Sequence, residues 1–186
     1  VGRDRPASLV DDVGVRRVGF GRSQPKVKKG GSTMRRHRAL VALSKDHHDV
    51  LQLAEGLRRG GPSSLREVLP AELADLARHV QKFAVDRLEP HFVAEEHTLF
   101  PASRGRDHDL DKLIEVLHLE HARITALVKE LDCGREIETT LDTLGRTLIR
   151  HVRSEERDLF EMIQKHLTEA ELDALVPGLD RTAAEP

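Results

Sequence analysis

Two strings sixty positions apart hold the side chains most able to do chemistry. His91-Phe-Val-Ala-Glu95-Glu96-His-Thr-Leu99-Phe100 and His151-Val-Arg-Ser-Glu155-Glu156-Arg-Asp-Leu159-Phe160 share a His, a Glu four residues on, a second Glu and a Leu-Phe pair. At 3.6 residues per turn, the His and the first Glu of each string lie about 40° apart on one helix face, so each pair can hold one metal ion. A single His-x-x-x-Glu is ordinarily a solvated pair worth a few tenths of a kcal/mol. The duplication changes its weight. Glu95 to Leu99 and Glu155 to Leu159 are each one turn, which sets both carboxylates toward the core-seeking Leu and Phe. A carboxylate buried without a partner costs several kcal/mol, and a cation is the simplest compensation. Asp46-His47 and Glu120-His121 repeat a shorter signal, and His47 and His121 can close the cluster from two further helices. Four nitrogen and two oxygen donors suit two metal ions bridged by the carboxylates, whereas a lone structural zinc needs four ligands. The mixed donor set points to iron or manganese ahead of calcium or magnesium, which prefer all-oxygen shells.

The elements that must position these residues read as helices, with breakers where helices should stop. The first is expected over residues 34–59, ended by Gly60, Gly61 and Pro62. The second runs from Pro70 to Leu99 with a kink at Pro90, the third from Asp109 to Leu131 before Gly134, and the fourth from Glu136 to His166. Thr168 and Glu171 form a capping box for a short last helix that ends before Pro177. No segment alternates as a strand does. The expected fold is all-α: an antiparallel up-down-up-down four-helix bundle over residues 34–176, built as two related helical hairpins and carrying a short C-terminal helix. Residues 177–186 read as a loose tail. Residues 1–33, rich in Gly, Arg and Lys, read as a disordered basic tail. Met34 directly precedes the first helical pattern, which is also where the protein would begin if Val1 reflects a misplaced start codon.

Composition narrows the function classes. No apolar run approaches the roughly 18 residues of a membrane span, so no membrane partner is expected. The one cysteine, Cys133, excludes an internal disulfide framework, and with no secretory h-region a reducing, cytoplasmic setting is expected. Residues 1–33 hold eight basic and three acidic side chains, but the remainder carries a net charge of −7, which gives no electrostatic case for nucleic acid. Eleven His against five Phe, with no Trp or Tyr, again directs attention to metal chemistry.

The two strings, with Asp46-His47-His48 upstream and Glu120-His121 between them, resemble the hemerythrin-like (HHE cation-binding) domain over about residues 38–166. The resemblance implies a non-haem di-iron centre, oxo- or hydroxo-bridged, that binds or reacts with a small diatomic or peroxide ligand. Manganese and zinc rank behind iron. It also implies His47, His91, His121 and His151 as terminal ligands and Glu95 and Glu155 as bridges. Classical oxygen-carrying members have a second His one turn away on the third helix; here Leu117 and Thr125 stand one turn either side of His121. His48 and His118 are the only nearby substitutes, and both read better as surface or supporting residues. Fewer His and an open position favour sensing, redox chemistry or iron holding over reversible carriage.

Three functions compete. The first is a protein that binds or senses O2, NO or peroxide, or holds iron. The second is a di-iron oxidoreductase consuming peroxide or NO; a ferritin-like enzyme would need two Glu-x-x-His pairs, and only Glu115-Val-Leu-His118 fits. A metal-free helical interaction module ranks last. Glu96 and Glu156 read as solvent-facing or hydrogen-bonded to the ligands. His97, His108 and His166 read as surface, His79 is unassigned, and Cys133 reads as an incidental thiol.

Overall fold

The computed structural model describes residues 35–180, so the basic tail expected over residues 1–33 lies outside the described residues, as do residues 181–186. Among the described residues there is no strand, and the chain is a helical bundle. Helix α1 spans Arg38–Leu57, opening where the His37 ring accepts a hydrogen bond from the Ala39 N–H at 3.2 Å. Gly60, at φ 72°, begins the expected break. A short helix the periodicity did not reveal follows, α2 at Ser63–Glu67. It packs on α1 at Gly56, where a Cβ would lie 2.7 Å from Leu69 Cδ1 and 3.0 Å from the Leu65 carbonyl oxygen.

Helix α3 occupies residues 73–103 without interruption, although it contains Pro90 and Pro101. The expected kink at Pro90 takes the form of a π turn over Ala84–Leu88, closed by Glu89 N–H to the Ala84 carbonyl. A second π turn, Glu95–Leu99, is closed by Phe100 N–H to the Glu95 carbonyl and precedes Pro101 in the same way. Proline lacks a donor, and a widened turn just before it re-pairs the neighbouring backbone groups without ending the helix. Helix α4, His108–Glu130, is capped by Asp107, whose carboxylate accepts from the Asp109 and Leu110 N–H groups, and Gly134 at φ 64° ends the turn beyond it. Helix α5 covers residues 137–166 and carries a π turn at Glu155–Leu159 with no proline to induce it.

The capping box of Thr168 and Glu171 opens α6, Glu169–Leu179. This helix continues through Pro177, where the sequence pattern placed its end. The proline removes a single bond in the last turn, the Asp180 N–H closes onto the Val176 carbonyl, and buried Leu175 and Leu179 hold the turn to the bundle.

Two apolar clusters stack along the bundle. One gathers Val50, Leu57, Leu76, Ile124, Leu144 and Leu148, and the other gathers Leu40, Leu43, Leu99, Leu110, Phe160 and Leu179. At Gly145 helices α1 and α5 come so close that a Cβ would stand 2.6 Å from the Ala54 carbonyl oxygen. Cross-helix pairs run in opposing number order. Between α1 and α5 they are Arg59 with Asp142, His47 with Glu156, and His37 with Gln164. Between α3 and α4 they are Gln81 with Asp132 and Arg104 with Glu115. No helix among the described residues is long and apolar enough to cross a membrane.

Candidate metal centre

Six polar side chains separate the two apolar clusters: His47 from α1, His91 and Glu95 from α3, His121 from α4, and His151 and Glu155 from α5. None is more than 3 % exposed. At that burial an ionisable group needs a partner. They form two groups of four that share both carboxylates, His47, His91, Glu95 and Glu155 on one side and Glu95, His121, His151 and Glu155 on the other. Within each group the donor atoms lie within 4.8 Å of one another. His47 Nε2 is 3.1 Å from Glu155 Oε2, and His91 Nε2 is 3.5 Å from Glu95 Oε2. His121 Nε2 is 3.4 Å from Glu95 Oε2, and His151 Nε2 is 3.2 Å from Glu155 Oε1. The fold brings together all six residues that the spacing predicts to converge.

The residues fit bound metal, as two overlapping groups that could each hold an ion. Both oxygens of Glu95 and of Glu155, and the Nε2 atoms of His121 and His151, are buried without a hydrogen bond despite their proximity. Leaving so many buried polar atoms unpaired is costly, and two shared cations would satisfy all of them. Both carboxylates open a π turn, a widening that recurs at functional sites. The widened turns also allow Leu99 and Phe100, and likewise Leu159 and Phe160, to stay buried side by side.

The other ring nitrogens reveal an arrangement that no motif disclosed. His47 Nδ1 meets Glu156 at 2.7 Å, His91 Nδ1 meets Asp46 at 3.4 Å, His121 Nδ1 meets Glu96 at 2.7 Å and His151 Nδ1 meets Glu120 at 3.1 Å. Each long helix thus passes one carboxylate to the imidazole of the next in chain order, and α5 returns one to α1. A carboxylate that accepts from Nδ1–H fixes the tautomer and aims the Nε2 lone pair inward. Glu96 and Glu156 were legible only as either solvent-facing or supporting; they are supporting. Asp46 and Glu120 stood in the recurring strings without an assigned task.

The electrostatics of the cluster without an ion follow from the same contacts. Burial disfavours a charged His47, but the Glu155 and Glu156 carboxylates outweigh it and raise the pKa to about 10. His121 is likewise opposed by burial and raised to about 10 by Glu155 and Glu95. Burial pushes Glu155 up, yet the charge of His151 and the contacts of His121 and His47 hold it well below the usual carboxylate range. The His151 hydrogen bond, offset in part by burial and aided by Arg150, lowers Glu120 and keeps it an acceptor.

His48 and His118 do not join the cluster. His48 pairs with Gln52 at 2.8 Å on the outer face of α1, and half-exposed His118 pairs with Glu96 at 3.3 Å. Leu117 is fully buried in apolar surroundings. Glu115 is exposed and pairs with Arg104, so the lone Glu-x-x-His contributes nothing here. His79, His97, His108 and Cys133 are exposed, and His166 is half-buried away from the site.

A family model for the hemerythrin HHE cation binding domain matches residues 38–163, a span that contains all six residues and all four outer carboxylates. Comparisons with curated proteins and with solved structures found no match.

Proposed function

The chain belongs to the hemerythrin HHE cation-binding family, and on that premise we propose that it is a non-haem di-iron protein that binds or senses O2, NO or peroxide, or holds iron. In this reading His47 and His91 would hold one ion and His121 and His151 the other, with Glu95 and Glu155 shared between them. The observation that carries it is the pair of fully buried carboxylates with unpaired oxygens, faced by four imidazoles whose Nδ1 atoms are already committed to other carboxylates. Imidazole and carboxylate donors together favour iron over calcium or magnesium.

When bound, the ions would supply Lewis acidity and electrons to a small ligand. The chain's own part is to hold the donors and exclude water. Phe160 stacks on His47 with ring centroids 5.6 Å apart, and Phe100 stacks on His121 at 5.8 Å, so apolar rings flank the centre on both sides. The opposed numbering of the cross-helix pairs supports an up-down-up-down bundle as the scaffold, and the lone cysteine supports a reducing, cytoplasmic setting.

Glu95→Ala and Glu155→Ala test the reading. Each should reduce iron from about two to at most one per chain while the far-ultraviolet helix signal persists. Unchanged iron content in both variants would overturn it.

A further inference from the structure

The two candidate ion positions have equal sets of protein donors but unequal cover. On the His47 side the Phe160 ring lies fully buried against the imidazole, and the Arg36 guanidinium sits 4.8 Å above that ring. Arg36 is pinned there by the Glu156 carboxylate at 2.7 Å and the Glu156 carbonyl at 2.9 Å. A groove on the outer face of α1, about 500 Å³, reaches Arg36 and Ser44 but no candidate ligand.

On the other side a groove of about 640 Å³ follows the seam between α3 and α4, and His121 itself lines it. Its α4 wall combines the small side chains of Ala122, Thr125 and Ala126 with His118 and Lys129. Beside it, Leu88, Glu89, Phe92, Ile124, Thr125 and Lys129 line a smaller pocket of about 40 Å³. The Phe92 ring, which lines the groove, forms an aromatic layer against the centre, stacked 3.8 Å from the ring of His121 and edge-on to His151 at 5.8 Å and to His91 at 6.0 Å; Phe100 also stacks on His121, at 5.8 Å. The internal repeat does not reproduce this layer, because Val152 occupies the matching place in α5.

Resting on the di-iron reading above, we propose that small exogenous ligands enter through the α3–α4 groove and bind on the His121–His151 side, with Phe92 as the gate. Donor number does not distinguish the two ions, so access decides.

Azide is the probe, added to the full-length, iron-loaded, air-oxidised protein and followed by its visible absorption in stopped flow. Thr125→Phe and Ala122→Phe fill the groove and should slow azide association at least tenfold with iron content unchanged. Val41→Phe, in the α1 groove, should leave the rate within twofold of the parent. Ala122 is exposed, so its variant carries the test if Thr125→Phe fails to load iron. Parent-like rates in the α3–α4 variants, or slowing by Val41→Phe alone, would overturn the route while leaving the di-iron reading intact. A parent protein that holds two irons but takes no azide would overturn the ligand-binding reading and the route together.

Discussion

Loading the metal-free protein should expel about two protons per chain. Without an ion, His47 and His121 each have a pKa raised to about 10, against burial, by the carboxylates that face them. At pH 7.5 both imidazoles are then almost wholly protonated, and a metal needs their Nε2 lone pairs free. Glu155 is held well below the usual carboxylate range and has no proton to release. The apparent affinity should therefore climb by about two powers of ten per pH unit through neutrality. The stability consequence has a definite sign. A raised histidine pKa stabilises the metal-free fold fully below about 6.5, and that contribution fades as pH rises through about 10. The metal-free protein should thus weaken between those limits, while the loaded protein, whose imidazoles are already neutral, should not. Titration calorimetry with Zn2+, which has no redox chemistry, in two buffers of different ionisation enthalpy counts the protons. A count near zero, or an affinity flat between pH 6.5 and 8.5, would refute the reasoning.

Four further substitutions probe the outer carboxylates, the α1–α5 contact and the cap of α6. Glu156→Gln and Glu96→Gln remove the charge that orients His47 and His121, and each should weaken metal affinity by roughly 10- to 100-fold in a competitive chelator titration with little change in helix content. Gly145→Ala gains about 1 kcal/mol of helix propensity, but the new Cβ would press on the Ala54 carbonyl oxygen, which is backbone and cannot swing away. Overpacking of about 1–3 kcal/mol should win, giving a lower urea midpoint; an unchanged or higher midpoint would show that α1 and α5 can separate. Thr168→Ala breaks the capping box of α6 and should cost about 1 kcal/mol in urea unfolding. The Glu171 carboxyl is lowered to about 2 by Thr168 and Arg106, so its contribution is present above its ordinary carboxylate range and disappears as pH falls through about 2.

The helices and the six converging residues were legible because each has a local signature. Periodic Leu and Val mark the buried faces, Gly60, Pro62 and Gly134 mark the breaks, and the duplicated His-x-x-x-Glu fixes the phase of ligands against Leu-Phe twice. The π turns were not legible. Apolar spacing at 3.6 residues per turn cannot register one inserted residue, and although Pro90 and Pro101 hint at a local adjustment in α3, α5 makes the same turn at Glu155 with no proline. The last helix ran past its expected end because tertiary burial of Leu179 outweighed the breaker at Pro177. The tasks of Asp46 and Glu120, and the choice between the two readings of Glu96 and Glu156, were hidden for a different reason. Each serves a histidine on another helix, so the partner of Asp46 is not its neighbour His47 but His91, a pairing that only the packed bundle reveals.

Iron content, together with the near-ultraviolet and visible spectrum of protein purified in air and recorded again after anaerobic reduction and after return to O2, decides whether the buried cluster holds a di-iron centre. The chain has no Trp or Tyr, so its own background is low. The account predicts about two irons per chain and absorption bands that bleach on reduction and return with O2. Protein that takes up no iron, even on anaerobic reconstitution, would contradict it.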